Sequence, residues 1–576
     1  MEDVPDVRAP DPLARLVAWI GPPRDYALTR WLVLRLLGLV YVFAFIGLLR
    51  QGPALWGEHG LTPVGTYLEQ LRADGQGFWD VPSLLWFGSS DGAMAAWGWI
   101  GLALSLALLA GYANTFSLLA LWAIYGSFVR TGQLWFSFGW EIQILETTVL
   151  AAFLAHTWDP RPLKAPQPSP IVIALLRWLV LRIMLGAGLI KLRGATCWAD
   201  MTCLDYHFET QPIPNPLSAW FHHLPTWVHH AGVVINHIVE VILPLFVFGP
   251  RRLRLIAGVG MAMFQGILIL SGNLAFLNWL TLVPILACFD DAFLRRLVPH
   301  RARAWLDKRI PAQRPRDAKQ LVIAFGAAAI WILVWGPIFG ALPAPWQVVL
   351  AIFMGVLTIL IGLGMRPTIT SPGERVDGTQ IALGCLLALV VIKSVPVVGN
   401  LLGSRQAMNR SYDRLALVNT YGAFGSVGEK RYELIIEGTR DPDPATATWH
   451  AYELPCKPGD LTRRPCILGP YHLRLDWLIW FAAMNERPRD PWVLHLVYKL
   501  LDGDRAIRTL LAVDPFHGEA PLYVRIRRFQ YHLQPLGAPT WWTRDHEQLW
   551  LRPISLEDPA LHDALAPYGW PSPPLR

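Results

Sequence analysis

Charge is scarce in this chain. Asp, Glu, Lys and Arg make up 16% of its 576 residues, against about a quarter in soluble globular proteins. Hydrophobic residues make up 53%, and the mean hydropathy is +0.33. So little charge excludes an ordinary water-soluble fold and makes a bilayer the simplest solvent. Lys and Arg number 50 against 43 Asp and Glu, a net charge of +7, and the excess sits in short blocks such as Arg251, Arg252 and Arg254. A long basic stripe is missing, which speaks against nucleic acid as a partner and for a lipid-facing cytoplasmic rim. A nucleotide-binding glycine loop and a nucleophile elbow are missing as well, so transport driven by bound ATP is unsupported. No signal peptide is visible: residues 1–27 are acidic and Pro-rich, with no compact apolar core before a cleavage site. The first apolar segment is therefore expected to stay as an anchor.

Long apolar runs are what the chain does have. Stretches able to cross a hydrocarbon layer of roughly 30 Å recur at 31–49, 94–112, 114–130, 140–157, 171–191, 229–248, 254–271, 274–290, 320–341, 346–364 and 380–400, about eleven in all. The fold class expected is an α-helical polytopic membrane bundle followed by a mostly β extracytoplasmic domain. Its divisions are 1–30 as a cytoplasmic N-terminal segment, 31–400 as the transmembrane domain and 401–576 as the outer domain. With the N-terminus in the cytosol, the inside loops are 158–170, 249–253, 291–319 and 365–379, and these are the basic ones. The third carries Arg295, Arg296, Arg301, Arg303, Lys308, Arg309, Arg314, Arg316 and Lys319 against Asp307 and Asp317, whereas 50–93 leans acidic. An odd number of spans then places the C-terminal third outside the cytosol. Many of the 28 Trp, among them Trp31, Trp56, Trp135, Trp140, Trp220 and Trp227, fall near span ends, where headgroup depth suits an amphipathic ring. Core packing is the other reading for them.

This topology puts Cys197, Cys203, Cys456 and Cys466 outside and leaves Cys288 and Cys385 within apolar spans. Disulfides persist in such a compartment, and the short separations favour Cys197 with Cys203 and Cys456 with Cys466 over the other connectivities. After about residue 400 the texture changes to short alternating runs at 431–436, 449–454 and 522–531, bounded by Gly, Pro and Asp, which predicts strands and turns. Helix-like pieces at 475–485 and 492–502 interrupt them.

The polar candidates in the apolar part begin at Lys191, which ends a span after Gly186 and Gly188, small residues that permit close helix approach. Two readings of Lys191 stay open: a cation that reaches out to headgroups together with Arg193, or a buried base beside a cavity, its pKa lowered by desolvation. The following loop holds Asp200, Asp205, Tyr206, His207, Glu209, Gln211 and Asn215, with Pro212, Pro214 and Pro216 restricting the chain. It reads as an ordered loop folded on the membrane surface. Downstream, Asn236, His237 and Glu240 share a helical face, and Glu141 and Glu146 occupy an earlier span. Such groups face a bundle interior, lining a cavity or knitting helices together. For Asn273 and Asn278, capping or interhelical bonding is the plain reading. His222, His223, His229, His230 and His237 lack the tight repeated spacing of a metal site, so neither metal nor cofactor is expected.

Several of these stretches together resemble the lipase maturation factor family. The resemblance rests on Gly186-Ala187-Gly188-Leu189-Ile190-Lys191-Leu192-Arg193-Gly194, the run 197–216, Asn236-His237, Ser271-Gly272-Asn273-Leu274 and Phe276-Leu277-Asn278-Trp279. In the C-terminal third it rests on Val418-Asn419-Thr420-Tyr421-Gly422, Lys457-Pro458-Gly459-Asp460, Pro465-Cys466 and Leu475-Asp476-Trp477. The resemblance implies an endoplasmic reticulum membrane protein that helps secreted lipases reach their active, assembled form. A bacterial-style composition would place it in the inner membrane instead. The partners implied are the lipid bilayer and a secreted client, engaged by the outer domain, where Trp477, Trp480, Phe481, Trp541, Trp542 and Trp550 either offer apolar contacts or form that domain's own core. A shorter likeness, confined to Ala187-Gly188-Leu189-Ile190-Lys191-Leu192, is to the membrane domain of vitamin K-dependent carboxylase. It implies the alternative of a lipid-phase enzyme with Lys191 as its base.

Overall fold

The computed structural model describes residues 25–161, 167–299, 301, 303, 304 and 378–570. Up to residue 402 the described elements are helices. Those that frame the bundle are α1 (Ala27–Leu55), α2 (Asp91–Ala110), α3 (Thr115–Thr131), α4 (Gly139–Ala152), α5 (Pro170–Arg193), α6 (Thr226–Phe248), α7 (Arg251–Ser271), α8 (Leu277–Cys288) and α9 (Gly378–Leu402). Among the described residues six helices are long and apolar enough to cross a membrane, or seven if α8 and the Asp291–Leu297 helix, bent by 118° at their break, count as one span. The expected tally of about eleven is not reached there. Two of its stretches, 320–341 and 346–364, lie outside the described residues. Two others fold as α3, of 17 residues, and α4, of 14, short of the roughly 20 that an isolated span needs. The shortness of α4 has a physical reason: Glu141, Gln143, Glu146, Thr147 and Thr148 are all buried, so protein surrounds the helix where an isolated span would meet lipid.

Contacts at the helix ends sort the connections into two groups. At one end, Asp291 accepts the backbone N–H groups of Ala27 and Leu28 at 3.0 and 2.9 Å. There Arg251 pairs with Asp290 at 2.6 Å, and Arg177 bonds the Tyr26 hydroxyl and the Ala287 carbonyl. The starts of α1, α5 and α7 and the end of α8 thus lie together. At the other end, every connection that follows α1, α3, α5 or α7 touches the C-terminal domain. Leu61 O accepts from His495 at 2.7 Å, the Trp135 carbonyl after α3 accepts from Arg474, the loop after α5 accepts from Arg431, and Asn273 accepts from Leu468 N–H at 2.8 Å. The chain passes back and forth between two faces and collects one set of loops under the outer domain.

That domain holds a four-stranded antiparallel sheet, ordered β2-β1-β3-β4, from β1 (Arg431–Thr439), β2 (His450–Ala451), β3 (Tyr523–Leu533) and β4 (Trp542–Ile554). Helices α10 (Arg474–Ala483) and α11 (Pro491–Leu501) stand where helices are expected. The stretch 449–454 contributes only the two residues of β2. The edge strand β4 escapes the alternation rule because Thr543 to Leu549 are all exposed. One hydrophobic core runs from the bundle into the domain, through ring contacts such as Trp140 with Trp477 at 5.1 Å and Trp135 with Trp492 at 5.5 Å. Of the two readings for the tryptophans near span ends, core packing holds for Trp56, Trp135 and Trp140, while Trp220 and Trp227 are exposed. Cys197 bonds Cys203 and Cys456 bonds Cys466, as the short separations favour.

Candidate functional site

The outer end of α5 is built around glycines. A Cβ on Gly188 would lie 2.6 Å from Val241 and 3.0 Å from the Glu240 backbone, and one on Gly186 would lie 2.3 Å from the Tyr421 carbonyl oxygen. Their absence of side chains lets α6 and the start of the outer domain close onto α5. Opposite Gly188, α6 loosens into a π-helical turn at Ile238–Ile242, an irregularity that widens the helix and re-aims its side chains. Glu240 sits in that turn. Its oxygens accept from Lys191 Nζ at 2.7 and 2.8 Å, and Asn236 Oδ1 accepts from the same nitrogen at 2.9 Å. The Trp198 ring lies 4.8 Å from the ammonium, a cation–π contact. Lys191 is buried, as are Asn236 and Glu240. The lysine is half of a buried ion pair between α5 and α6. His237, one residue past Asn236, turns to the Trp198 carbonyl at 3.3 Å.

A second buried centre lies at Glu146. Its carboxylate accepts from both terminal nitrogens of Arg182 on α5, from the Asn419 backbone N–H at 3.0 Å, from the Asn419 amide at 3.1 Å and from the Tyr421 hydroxyl at 2.7 Å. Arg182 in turn donates to the Asn419 carbonyl at 2.8 Å. The segment that leads into the outer domain thus plugs into the bundle and completes the shell of a buried ion pair, which needs such extra hydrogen bonds to offset desolvation. Glu141 does the same with α10, pairing with Arg474 at 2.8 Å and accepting from Tyr125 at 2.5 Å. Arg474 lies over the Phe136 ring at 3.9 Å. Gln51, near the end of α1, holds the Arg474 N–H at 2.9 Å and donates to the His472 carbonyl at 2.7 Å.

The polar loop after α5 is an adapter between these layers. Arg431 of β1 is fully buried and donates to the carbonyls of Glu209, Gln211 and Pro212 while pairing with Glu433 at 2.5 Å. Glu433 also pairs with Lys457 at 2.8 Å. Glu209 accepts the Leu533 N–H at 2.7 Å and faces His222 and His532 at 3.5 and 3.6 Å. Burial pushes its carboxyl pKa up, against the pull of the Leu533 N–H. Burial likewise pulls the His222 imidazole down to about 4, and that of His207 to about 4 with help from nearby Lys191. His207 packs edge-on against Phe424 at 5.1 Å. Gln211 bonds Ser218 and the Ser271 carbonyl, and Asn215 caps Pro216–His222 through Ser218 N–H at 3.0 Å. Asp205 bonds His229 at 2.9 Å, Arg193 bonds Leu401 O and Gln406, Tyr206 is half-buried and Asp200 is exposed. Among the described residues no group of three or more His, Cys, Asp and Glu is placed to hold a metal ion.

Asn273 fastens the second disulfide loop. Its carbonyl oxygen accepts from Leu468 and Gly469, and its amide donates to Cys466 O at 2.9 Å. Asn278 is buried, and its amide nitrogen has no partner among the described residues. The structure therefore ties Glu141, Glu146, Glu209 and Asn273 to the outer domain, whereas Lys191, Asn236 and Glu240 bond one another inside the bundle; Arg182, Arg431 and Arg474 are partners that sequence reasoning missed. The signal for Arg182 was present, since it and Arg177 are guanidiniums inside an apolar run, which in a membrane marks paired groups. Of the outer aromatics, Trp477, Trp542 and Trp550 are buried, Trp477 against Trp140 of the bundle, Trp480 and Trp541 are half-buried, and Phe481 is 42% exposed.

Comparison with known proteins puts this junction in context. The family model described as lipase maturation factor transmembrane domain matches residues 28–296, and the one described as lipase maturation factor C-terminal domain matches residues 417–552. Lipase maturation factor 1 of Mus musculus is 40% identical over 568 residues, covering 95% of this chain and 91% of the mouse protein. The Homo sapiens protein of that name is 40% identical over 569 residues, with the same shares. Lipase maturation factor 2 of Rattus norvegicus is 31% identical over 599 residues, 92% of this chain and 83% of its own. No solved structure matches the chain. With both parts matched and nearly the whole length aligned, this chain belongs to the lipase maturation factor family.

Proposed function

We propose that the chain is a membrane-anchored maturation factor that assists the folding or assembly of secreted clients, lipases first among them. The observation that carries this reading is the similarity to lipase maturation factor 1 over 95% of the chain, which includes both the bundle and the outer domain. Co-expression of a secreted lipase with and without the protein tests it. A higher specific activity of the secreted enzyme is expected when the factor is present; equal specific activity would remove the basis for the proposal.

Within this reading, residues 1–30 face the cytosol, 31–400 cross the membrane about eleven times, and 401–576 fold in the lumen of the endoplasmic reticulum, or in the periplasm of a bacterial cell. Two disulfides in the outer layers and basic inside loops support that orientation. Clients that fold on the far side of the membrane meet the outer domain first. Strand β4 pairs with β3 alone among the described residues and exposes Leu549 at 55% of its surface, so its free edge suits an extended client segment. Lys191, Glu146, Glu141, Asn273 and the loop from Arg193 to Asn215 serve by holding that domain in a fixed pose.

A further inference from the structure

Where α7 ends and α8 begins, the bundle and the outer domain enclose a cleft of about 460 Å³, a size typical of small-ligand sites. Its wall comes from Leu217, Leu270 and Trp279, and its rim from Arg464 and Ile467 of the outer domain. Leu270 lies in the last turn of a span, so the cleft opens at the depth where hydrocarbon gives way to headgroups. Ile467 is 80% exposed, Leu270 55% and Leu217 43%, an apolar rim that water would disfavour and lipid would cover.

Polar groups in the cleft point the same way. Arg464 is exposed and has no ion-pair partner among the described residues. Asn278 is 2% exposed, and its amide nitrogen lacks a partner among the described residues, although the other asparagines of the lining are spent on the Leu270 and Cys466 carbonyls. A buried donor of this kind calls for an acceptor. We propose that the cleft binds an anionic phospholipid of the surrounding bilayer, in the leaflet next to the outer domain. An acyl chain lies along Leu217, Leu270 and Trp279, the Asn278 amide donates to an ester carbonyl, and the phosphate meets Arg464. Such a lipid brings an apolar tail, a buried acceptor and an exposed anion to this depth.

Native mass spectrometry of the full chain, titrated with phosphatidylglycerol or phosphatidylcholine, tests the site. Phosphatidylglycerol is expected to bind more tightly by about fivefold, the effect of one basic residue near an anionic headgroup. Arg464→Glu should abolish that preference and Arg464→Lys should retain most of it. Arg487→Glu, another exposed position, should change nothing. Asn278→Leu should weaken both lipids. Equal binding of the two lipids by the wild type, or a preference indifferent to Arg464→Glu, overturns the proposal. A photo-crosslinking side chain at Leu217 supplies a second readout. A phospholipid adduct is expected, whereas adducts with residues 305–377 of the same chain, or with another protein, overturn it.

Discussion

Lys191 and Glu240 meet at 2.7 Å inside the bundle, one on each of two helices that Gly188 allows to touch. The pair joins α5 to α6 directly under the polar loop. If that is its role, charge removal on both sides should be tolerated better than on one. Lys191→Met alone leaves a buried carboxylate without its counter-ion and is expected to cost about 3–5 kcal/mol. The double variant Lys191→Met, Glu240→Gln should recover much of that loss and retain the maturation activity. Thermal unfolding in detergent and the lipase co-expression assay check both points. Activity lost in the double variant while its stability is restored would speak for a chemical task of Lys191.

Glu146 supports a longer-range prediction. Because its carboxylate gathers Arg182, Asn419 and Tyr421, Glu146→Ala should strand a buried guanidinium and loosen the segment entering the outer domain. A loss of about 3–5 kcal/mol is expected, with new protease cleavage near 405–425 as the diagnostic. Cleavage confined to the bundle loops would contradict the proposed anchoring.

The disulfide Cys456–Cys466 closes a loop that Asn273 grips from the bundle. Cys456→Ser with Cys466→Ser removes the cross-link and is expected to destabilise the outer domain by about 2–4 kcal/mol. Non-reducing peptide mapping should show this pair and Cys197–Cys203 in the wild type. Unfolding curves that coincide for the wild type and the serine variant would assign the bond no stabilising part.

His495 gives the acid limb a specific owner. Burial, aided by Lys499, pulls its imidazole down to about 4 from an ordinary value of 6.5, although the Leu61 carbonyl pulls the other way. A folded-state value below the unfolded one favours the neutral ring, so its contribution is complete above pH 6.5 and is lost as pH falls toward 4. His495→Gln keeps a donor for Leu61 and does not titrate. The wild type should therefore lose stability relative to this variant over that window, as read by melting temperature at successive pH values. A pH-independent difference would remove His495 from the acid response.

The sequence reveals most about segments whose environment is uniform. Apolar length alone marks α1, α5 and α7, since that signal is local. The shortness of α3 and α4 is hidden for the same reason: their apolar text says nothing of the neighbours that bury Glu141 and Glu146. Those carboxylates stand out in the sequence, but their partners do not, because Arg474 and Asn419 follow hundreds of positions later. Strand β4 hides because an edge strand with both faces wet carries no alternation. Lys191 shows the limit most plainly. Its spacing from Glu240 along the chain gives no hint of contact, and only the approach allowed by Gly188 brings the two charges together.

Every contact between bundle and outer domain described above requires that domain to share a side with the loops after α1, α3, α5 and α7. Cysteine labelling with a membrane-impermeant maleimide, applied to sealed vesicles of known orientation, measures this directly. Glu547→Cys, on exposed β4, should react only from the non-cytosolic side, and Arg296→Cys, in an exposed basic position, only from the cytosolic side. Labelling of both positions from the same side would contradict the topology, and with it the proposed meeting of the outer domain with secreted clients.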